Sequence, residues 1–271
     1  MTTVQFPPLA GDAVEPTRAT LHAYAKAVGT IPRAHGIAHP KWWHAALAVR
    51  PEGLVTHPIP LPDGGSVAIR MDLATHQIVV RTSRGVEDEI DLRAGLTGTE
   101  VGDRLIEMVA AHGLSGPYDL ARFEDDDPRI YDPAAASAYF EAFTAAQGLF
   151  ERHRVGIGER VGPINLWPHG FDLAFEWFGT RTEAYDGEQL PAQLSLGFYP
   201  GGDPYFYSNP WPFDERLLAT ALPHGAHWTT EGFEGSILPY ASLQGDPAAG
   251  EKLLAFARAV HDAAAPTLTS S

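Results

Sequence analysis

The chain has 271 residues, 44% hydrophobic and 20% charged, and its 34 acidic against 19 basic residues give a formal net charge of −15. That composition supplies a sizeable core, excludes wholesale disorder and sets up a field that repels phosphate backbones and anionic lipid surfaces. With no cysteine, disulfides, thiolate metal sites and cysteine nucleophiles are excluded.

The opening MTTVQFPPLAGD has neither the basic nor the apolar segment of a signal peptide, and no apolar run approaches the roughly 18 residues of a membrane span. A soluble cytoplasmic protein without nucleic-acid or membrane partners is expected. Residues 1–14 read as an extended leader with Pro7 and Pro8. Pro16 then stands where a first helical turn accepts proline; Leu21, Tyr24, Ala25 and Val28 recur at helical spacing, and Gly29 reads as the stop. Residues 30–41 read as a loop carrying Pro32, His35, His39 and Pro40. The runs WWHAALAV, GLVTHPIPL, SVAIRMDL, HQIVVRT and VEDEIDL, separated by turn residues such as Asp63-Gly64-Gly65 and Ser83-Arg84-Gly85, predict an antiparallel meander of four or five strands.

Val101, Leu105, Ile106 and Val109 mark a second helix that stops near Gly113. Asp132-Pro133 caps and opens a third, carrying Tyr139, Phe143, Ala146 and Phe150 to about Arg154. A second β-rich stretch begins at Pro163 with PINLWPHG, FDLAFEWFG, QLSLGFYPG, PYFYSNPWP and HWTTEGFEGSILPY. Asp246-Pro247 opens a last helix with Leu253, Phe256, Ala257 and Val260 on one face, and residues 264–271 read as a frayed tail. The expected fold class is α+β: a mainly antiparallel sheet of two meander-like halves with flanking helices, in a single domain whose halves meet near residue 130.

Familiar catalytic motifs are absent: there is no G-x-S-x-G elbow, Walker loop, H-E-x-x-H or calcium loop. Gly156, Gly158 and Gly162 are spaced one residue too widely for a dinucleotide loop and follow a helix. His44 follows Trp42 and Trp43 at the mouth of the first strand, where alternation would put Trp42 and His44 on one face. Aromatic neighbours desolvate an imidazole and move its pKa; the plain alternative is a core histidine bonded to a backbone carbonyl. Asp172 and Glu176 would share a strand face with Ala174 and Phe178, and a carboxylate among aromatics is either paired or used; Asp172 could equally serve as a turn residue after Gly170. Around the Gly201-Gly202 hairpin, Phe198, Tyr199, Tyr205, Phe206, Tyr207 and Trp211 outnumber one buried strand face, so some are expected to line a cleft. His224 and His227 form an H-x-x-H pair that could hold a metal given a third ligand. Glu124 to Asp127 read as a solvated acidic loop. No cofactor is assigned.

Thr20-Leu21-His22, Trp42-Trp43-His44, Tyr131-Asp132-Pro133, Gly170-Phe171-Asp172-Leu173-Ala174, Gly197-Phe198-Tyr199-Pro200-Gly201, Tyr205 to Pro210 and Leu238-Pro239-Tyr240 follow one another along nearly the whole chain. In that ordered series the chain resembles an uncharacterised family of bacterial proteins, a domain of unknown function. The resemblance implies one unit and no particular activity. Members often carry histidine at the place of Asn165 and a further aromatic near Pro168, where this chain has Pro168-His169. The expected function is small-molecule binding in a pocket lined by Trp43, Trp167, Phe198, Tyr199 and Tyr207. One alternative is an enzyme with His44 as general acid or base, oriented by Asp172, acting on a small organic substrate. The other is a module that docks a partner protein through its aromatics. Ligand identity and oligomeric state have no signature in the sequence.

Overall fold

A computed structural model describes residues 4–270, and the chain divides into two units. The N-terminal unit takes in Leu9–Glu141 and Asn165–Asp172; the C-terminal unit takes in residues 4–8, Ala142–Ile164 and 173–270.

In the N-terminal unit, α1 (Val14–His35) buries Leu21, Tyr24, Ala25 and Val28, as their spacing predicts. It does not stop at Gly29. That glycine is a packing seat, because a Cβ there would lie 2.6 Å from Cγ of Pro168; the helix continues through Pro32 to His35. The expected strand through Trp42-Trp43-His44 is also corrected. Trp42 is left-handed (φ 59°) and Trp43–Ala45 form a 3-10 turn, so the pleat begins only afterwards.

The strands that follow are β1 (Leu47–Arg50), β2 (Gly53–Thr56), β3 (Ile59–Pro60), β4 (Ser66–Asp72), β5 (Gln77–Thr82) and β6 (Glu87–Asp91). Next come α2 (Gly98–Ala110), the start of α3 (Pro133–Ile157) and β7 (Asn165–Trp167). The sheet order is β7-β1-β2-β4-β5-β6, all antiparallel, with β3 also on β4. Leu54↔Met71, Ile69↔Val80 and Ile78↔Ile90 pair buried residues across it; α1 and α2 pack on one another, α1 on β2 and β3, and α2 on β5. A capping box starts α2: Glu100 N–H donates to the Thr97 hydroxyl (3.1 Å) and Thr97 N–H to the Glu100 carboxylate (2.8 Å). Asp132 caps α3 as expected, accepting from Ala135 N–H at 2.8 Å. Its own N–H donates to the Thr17 hydroxyl at 2.9 Å, which ties the start of α3 to α1.

Gly53 holds the β2 entry at φ 132°, and a Cβ there would run into the Met71 carbonyl oxygen across the ladder. Gly64 has φ 86° but open space around it. Gly53→Ala is expected to lose about 1–3 kcal/mol from strain alone plus the clash, and Gly64→Ala the strain alone. Urea midpoints of the two variants measure the difference.

The C-terminal unit holds the rest of α3, then β8 (Asp172–Tyr185, from Leu173 onward), β9 (Glu188–Tyr199), β10 (Tyr205–Trp211), β11 (His227–Thr229), β12 (Gly235–Pro239) and α4 (Ala249–Ala264). The antiparallel order is β8-β9-β10-β12-β11. Alternation gives one face, with Phe175, Leu196, Phe198 and Phe206, to the core, where Phe143 and Phe150 of α3 meet Phe198 (5.7 Å) and Phe175 (5.9 Å). Gly197, Tyr199, Tyr205 and Tyr207 lie on the other face. The hairpin between β9 and β10 turns at Gly201-Gly202, with Gly202 at φ 57°, as read from the sequence.

The expected fray after residue 264 is replaced by a strap. A 3-10 turn (Ala265–Thr267) leads to Leu268, whose carbonyl accepts from Arg181 N–H at 3.1 Å; Ser270 N–H donates to the Thr180 hydroxyl at 2.8 Å. Of the expected leader, residues 1–3 lie outside the described residues, as does Ser271 of the tail; Phe6 bridges to Gln244. The fold class is α+β, with antiparallel meanders and flanking helices.

Candidate ligand-binding site

His44 is placed by the way α1 ends. Gly36 leaves the helix extended, its N–H still on the Pro32 carbonyl at 2.7 Å. The chain turns back so that Trp42 N–H donates to the His39 carbonyl (2.9 Å) and Ala45 N–H to that of Trp42 (2.9 Å). The turn spreads two indoles over two imidazoles: Trp42 stacks on His44 at 5.5 Å and 25°, and Trp43 on His39 at 4.2 Å and 12°. Trp42 is 50% exposed, and the Arg33 guanidinium lies 4.1 Å from its ring centroid, a cation–π distance.

His44 is itself buried, and its Nδ1 accepts the His39 N–H at 3.1 Å. A ring whose Nδ1 accepts carries its proton on Nε2 when neutral. That Nε2–H makes no hydrogen bond among the described residues and is not enclosed. Burial, then the positive charges of Arg33, His39 and His57, hold the His44 pKa below the ordinary imidazole value. Nearby, His35 Nε2 lies 2.9 Å from the Tyr118 hydroxyl, which donates to the Leu114 carbonyl. Arg122 is close enough to help lower the Arg33 pKa, after burial.

The other residues singled out in the sequence fall in several places. Trp167 ends β7, half-buried, 5.9 Å from the His169 ring. Asp172 opens β8 and shares a face with Ala174, Glu176 and Phe178 by alternation. Its carboxylate folds back towards its own turn, where a Cβ on Gly170 would lie 2.5 Å from Oδ1. An orienting carboxylate on a catalytic histidine usually accepts an Nδ1–H; on His44 that nitrogen accepts from His39 instead.

Phe198, Tyr199 and Tyr207 belong to the C-terminal unit. Phe198 is fully buried; Tyr199 and Tyr207 are half-buried on the opposite sheet face, Tyr199 5.4 Å from Tyr205 and the Tyr207 ring covering Gly197, where a Cβ would run into it. His224 and His227 are exposed before and at the start of β11. Among the described residues no group of three or more His, Asp or Glu is placed to hold a metal ion. A groove of about 370 Å³ elsewhere in the N-terminal unit is lined by Leu61, Pro62, Arg84, Ala111 and His112, but its Arg84 is spent on the Asp63 carboxylate and on the carbonyls of Asp63 and Gly64.

Sequence reasoning missed Arg33, which enters the cluster only because α1 runs on past Pro32. It also missed His22, which donates from Nε2 to the His169 carbonyl at 3.0 Å and stacks on Phe171 at 5.8 Å.

The model of a family of unknown function matches residues 6–269. No curated protein and no solved structure matches the chain. Among the described residues no helix is long and apolar enough to cross a membrane.

Proposed function

The chain belongs to that family, DUF5996, and we propose that it binds a small planar organic anion on the Arg33–Trp42–His44 cluster. The observation that carries this reading is Trp42: a half-exposed indole on a left-handed backbone, beside a guanidinium and an imidazole. A bulky residue at positive φ costs about 1–3 kcal/mol and persists where the surroundings over-determine it, often at ligand sites. A planar ligand can lie against the exposed part of the indole, beside the guanidinium and the imidazole already packed on it, while its anionic group pairs with Arg33 and accepts the His44 Nε2–H. In a chain of net charge −15, an anion needs such a local concentration of donors to bind at all.

Calorimetry and tryptophan fluorescence with benzoate and indole-3-carboxylate, each beside its neutral amide, test this. The carboxylates are expected to bind at least tenfold more tightly than the amides. Arg33→Gln and Trp42→Ala are expected to weaken the carboxylates tenfold or more without unfolding the protein. Equal affinity for acid and amide, or an unchanged affinity in Arg33→Gln, would sink the proposal.

A further inference from the structure

The C-terminal unit contains a second histidine cluster that the ligand reading does not use. His153 on α3 is 6% exposed and meets the Phe175 ring at 6.3 Å. His261 on α4 stands edge-on to Trp177 at 5.0 Å and to His153 at 6.1 Å. Its Nε2 is buried and makes no hydrogen bond among the described residues. Such a buried polar atom calls for an explanation.

We infer that the His153–His261 pair is an acid-operated latch holding α4 and the C-terminal strap on this unit. The charged groups around it decide the direction. On α3, Arg154 is paired with Glu151 at 2.6 Å. On α4, Arg258 acts on His153 as a like charge, and Asp262 reaches His261 Nδ1 only at 3.7 Å with its side chain 82% exposed. From β8 come Phe175 and Trp177, which carry no charge. While both imidazoles are neutral, the contact is one of packed rings. Protonation puts one or two cations into that aromatic space beside Arg154 and Arg258, with a single solvated carboxylate to answer them. A buried unpaired charge is costly and is relieved by moving out to water. The element that carries His261 is α4, held inward by its buried Leu253, Phe256 and Val260, and the strap that follows it is held to β8 by few bonds: Arg181 N–H and guanidinium to the Leu268 and Thr267 carbonyls, and Ser270 N–H to Thr180.

Burial, then His261 and Arg258, hold His153 down to about 4; burial also lowers His261, with Asp262 opposing. The folded state thus favours neutral rings. The latch is fully closed above the unfolded value near 6.5 and opens as pH falls from there towards 4.

Hydrogen exchange by mass spectrometry on the full chain at pH 7 and pH 5, corrected for intrinsic exchange rates, tests this. Peptides from α4 and residues 265–270 are expected to lose protection at least tenfold more than peptides from β9 and β10. The double variant His153→Gln, His261→Gln is expected to remove that excess loss; should it not fold, His261→Gln alone is expected to reduce it. If wild-type α4 loses no more protection than β9 and β10, or if the folded variant keeps the wild-type excess, the latch is overturned.

Discussion

Phe198→Ala is expected to destabilise the C-terminal unit by about 3–5 kcal/mol, the range for emptying a large aromatic from a close-packed core. Phe198 has no exposed surface. Its ring stacks on Phe206 at 4.9 Å and on Tyr240 at 5.4 Å, and takes the edge of Phe143 at 5.7 Å. On the ladder it pairs with Leu173 on one side and Phe206 on the other. The surroundings are therefore three aromatic rings that cannot collapse into the space without leaving their own partners. Tyr199, the next residue, is half-buried on the opposite face, so Tyr199→Ala should cost clearly less. Urea unfolding followed by near-ultraviolet circular dichroism compares the two. A loss below about 1 kcal/mol for Phe198→Ala would mean that the ring is not held as described.

The same pair of residues shows what sequence pattern can and cannot deliver. The sequence shows more aromatics around Gly201-Gly202 than one buried strand face can hold; the structure puts Phe198 and Tyr199 on opposite faces and Tyr199 opposite Tyr205. Pattern alone could not say which of the two faced the helices, since both are aromatic. The four long helices were legible because their apolar residues recur at helical spacing, and Asp132 because a short acceptor before a proline has a specific job at a helix start. The extension of β8 and β9 to Tyr185 and Glu188 escaped, although Asp186-Gly187, at φ 48° and 81°, is the strongest two-residue hairpin signal; the flanking Thr180 to Glu183 and Glu188-Gln189 are polar and lack the apolar alternation of a half-buried strand.

The candidate site was legible only in part. His44 and its aromatic neighbours stand out in the chain, but Arg33 depends on a helix running through Pro32, against the local preference of proline. The helix is also packed where the sequence reads a stop: Gly29 seats against Pro168, which follows β7 and is far away in sequence. His153 and His261 escaped for a related reason. Each is a single imidazole among the residues of a helix, and only the packing of α3, α4 and β8 makes them neighbours.

His22 supplies the second large effect, in the acid limb of stability. It lies on α1 and holds the turn after β7: its Nε2–H donates to the His169 carbonyl, and its ring lies on the buried Phe171, itself at φ 54°. Burial is the largest influence on its pKa and outweighs the carbonyl bond, which acts the other way; with Lys26 and Arg18 adding like charge, His22 is held at about 4 against 6.5 for a free imidazole. The unfolded chain therefore binds a proton that the folded chain refuses, so this stabilisation is complete above pH 6.5 and is lost as pH falls towards 4. The interval corresponds to at most about 3 kcal/mol, and to about 1–2 kcal/mol for a ring only half enclosed. His22→Gln can still offer an N–H to the carbonyl but does not titrate. The stability difference between wild type and His22→Gln, from urea unfolding at pH 7.5, 6.5, 5.5 and 4.5, about one unit apart, is expected to be constant above 6.5. Below that it should shift by about 1–2 kcal/mol in favour of the variant. Other histidines titrate in both proteins and cancel in the difference. A difference that does not move with pH would show that folding does not lower the His22 pKa and would overturn this prediction.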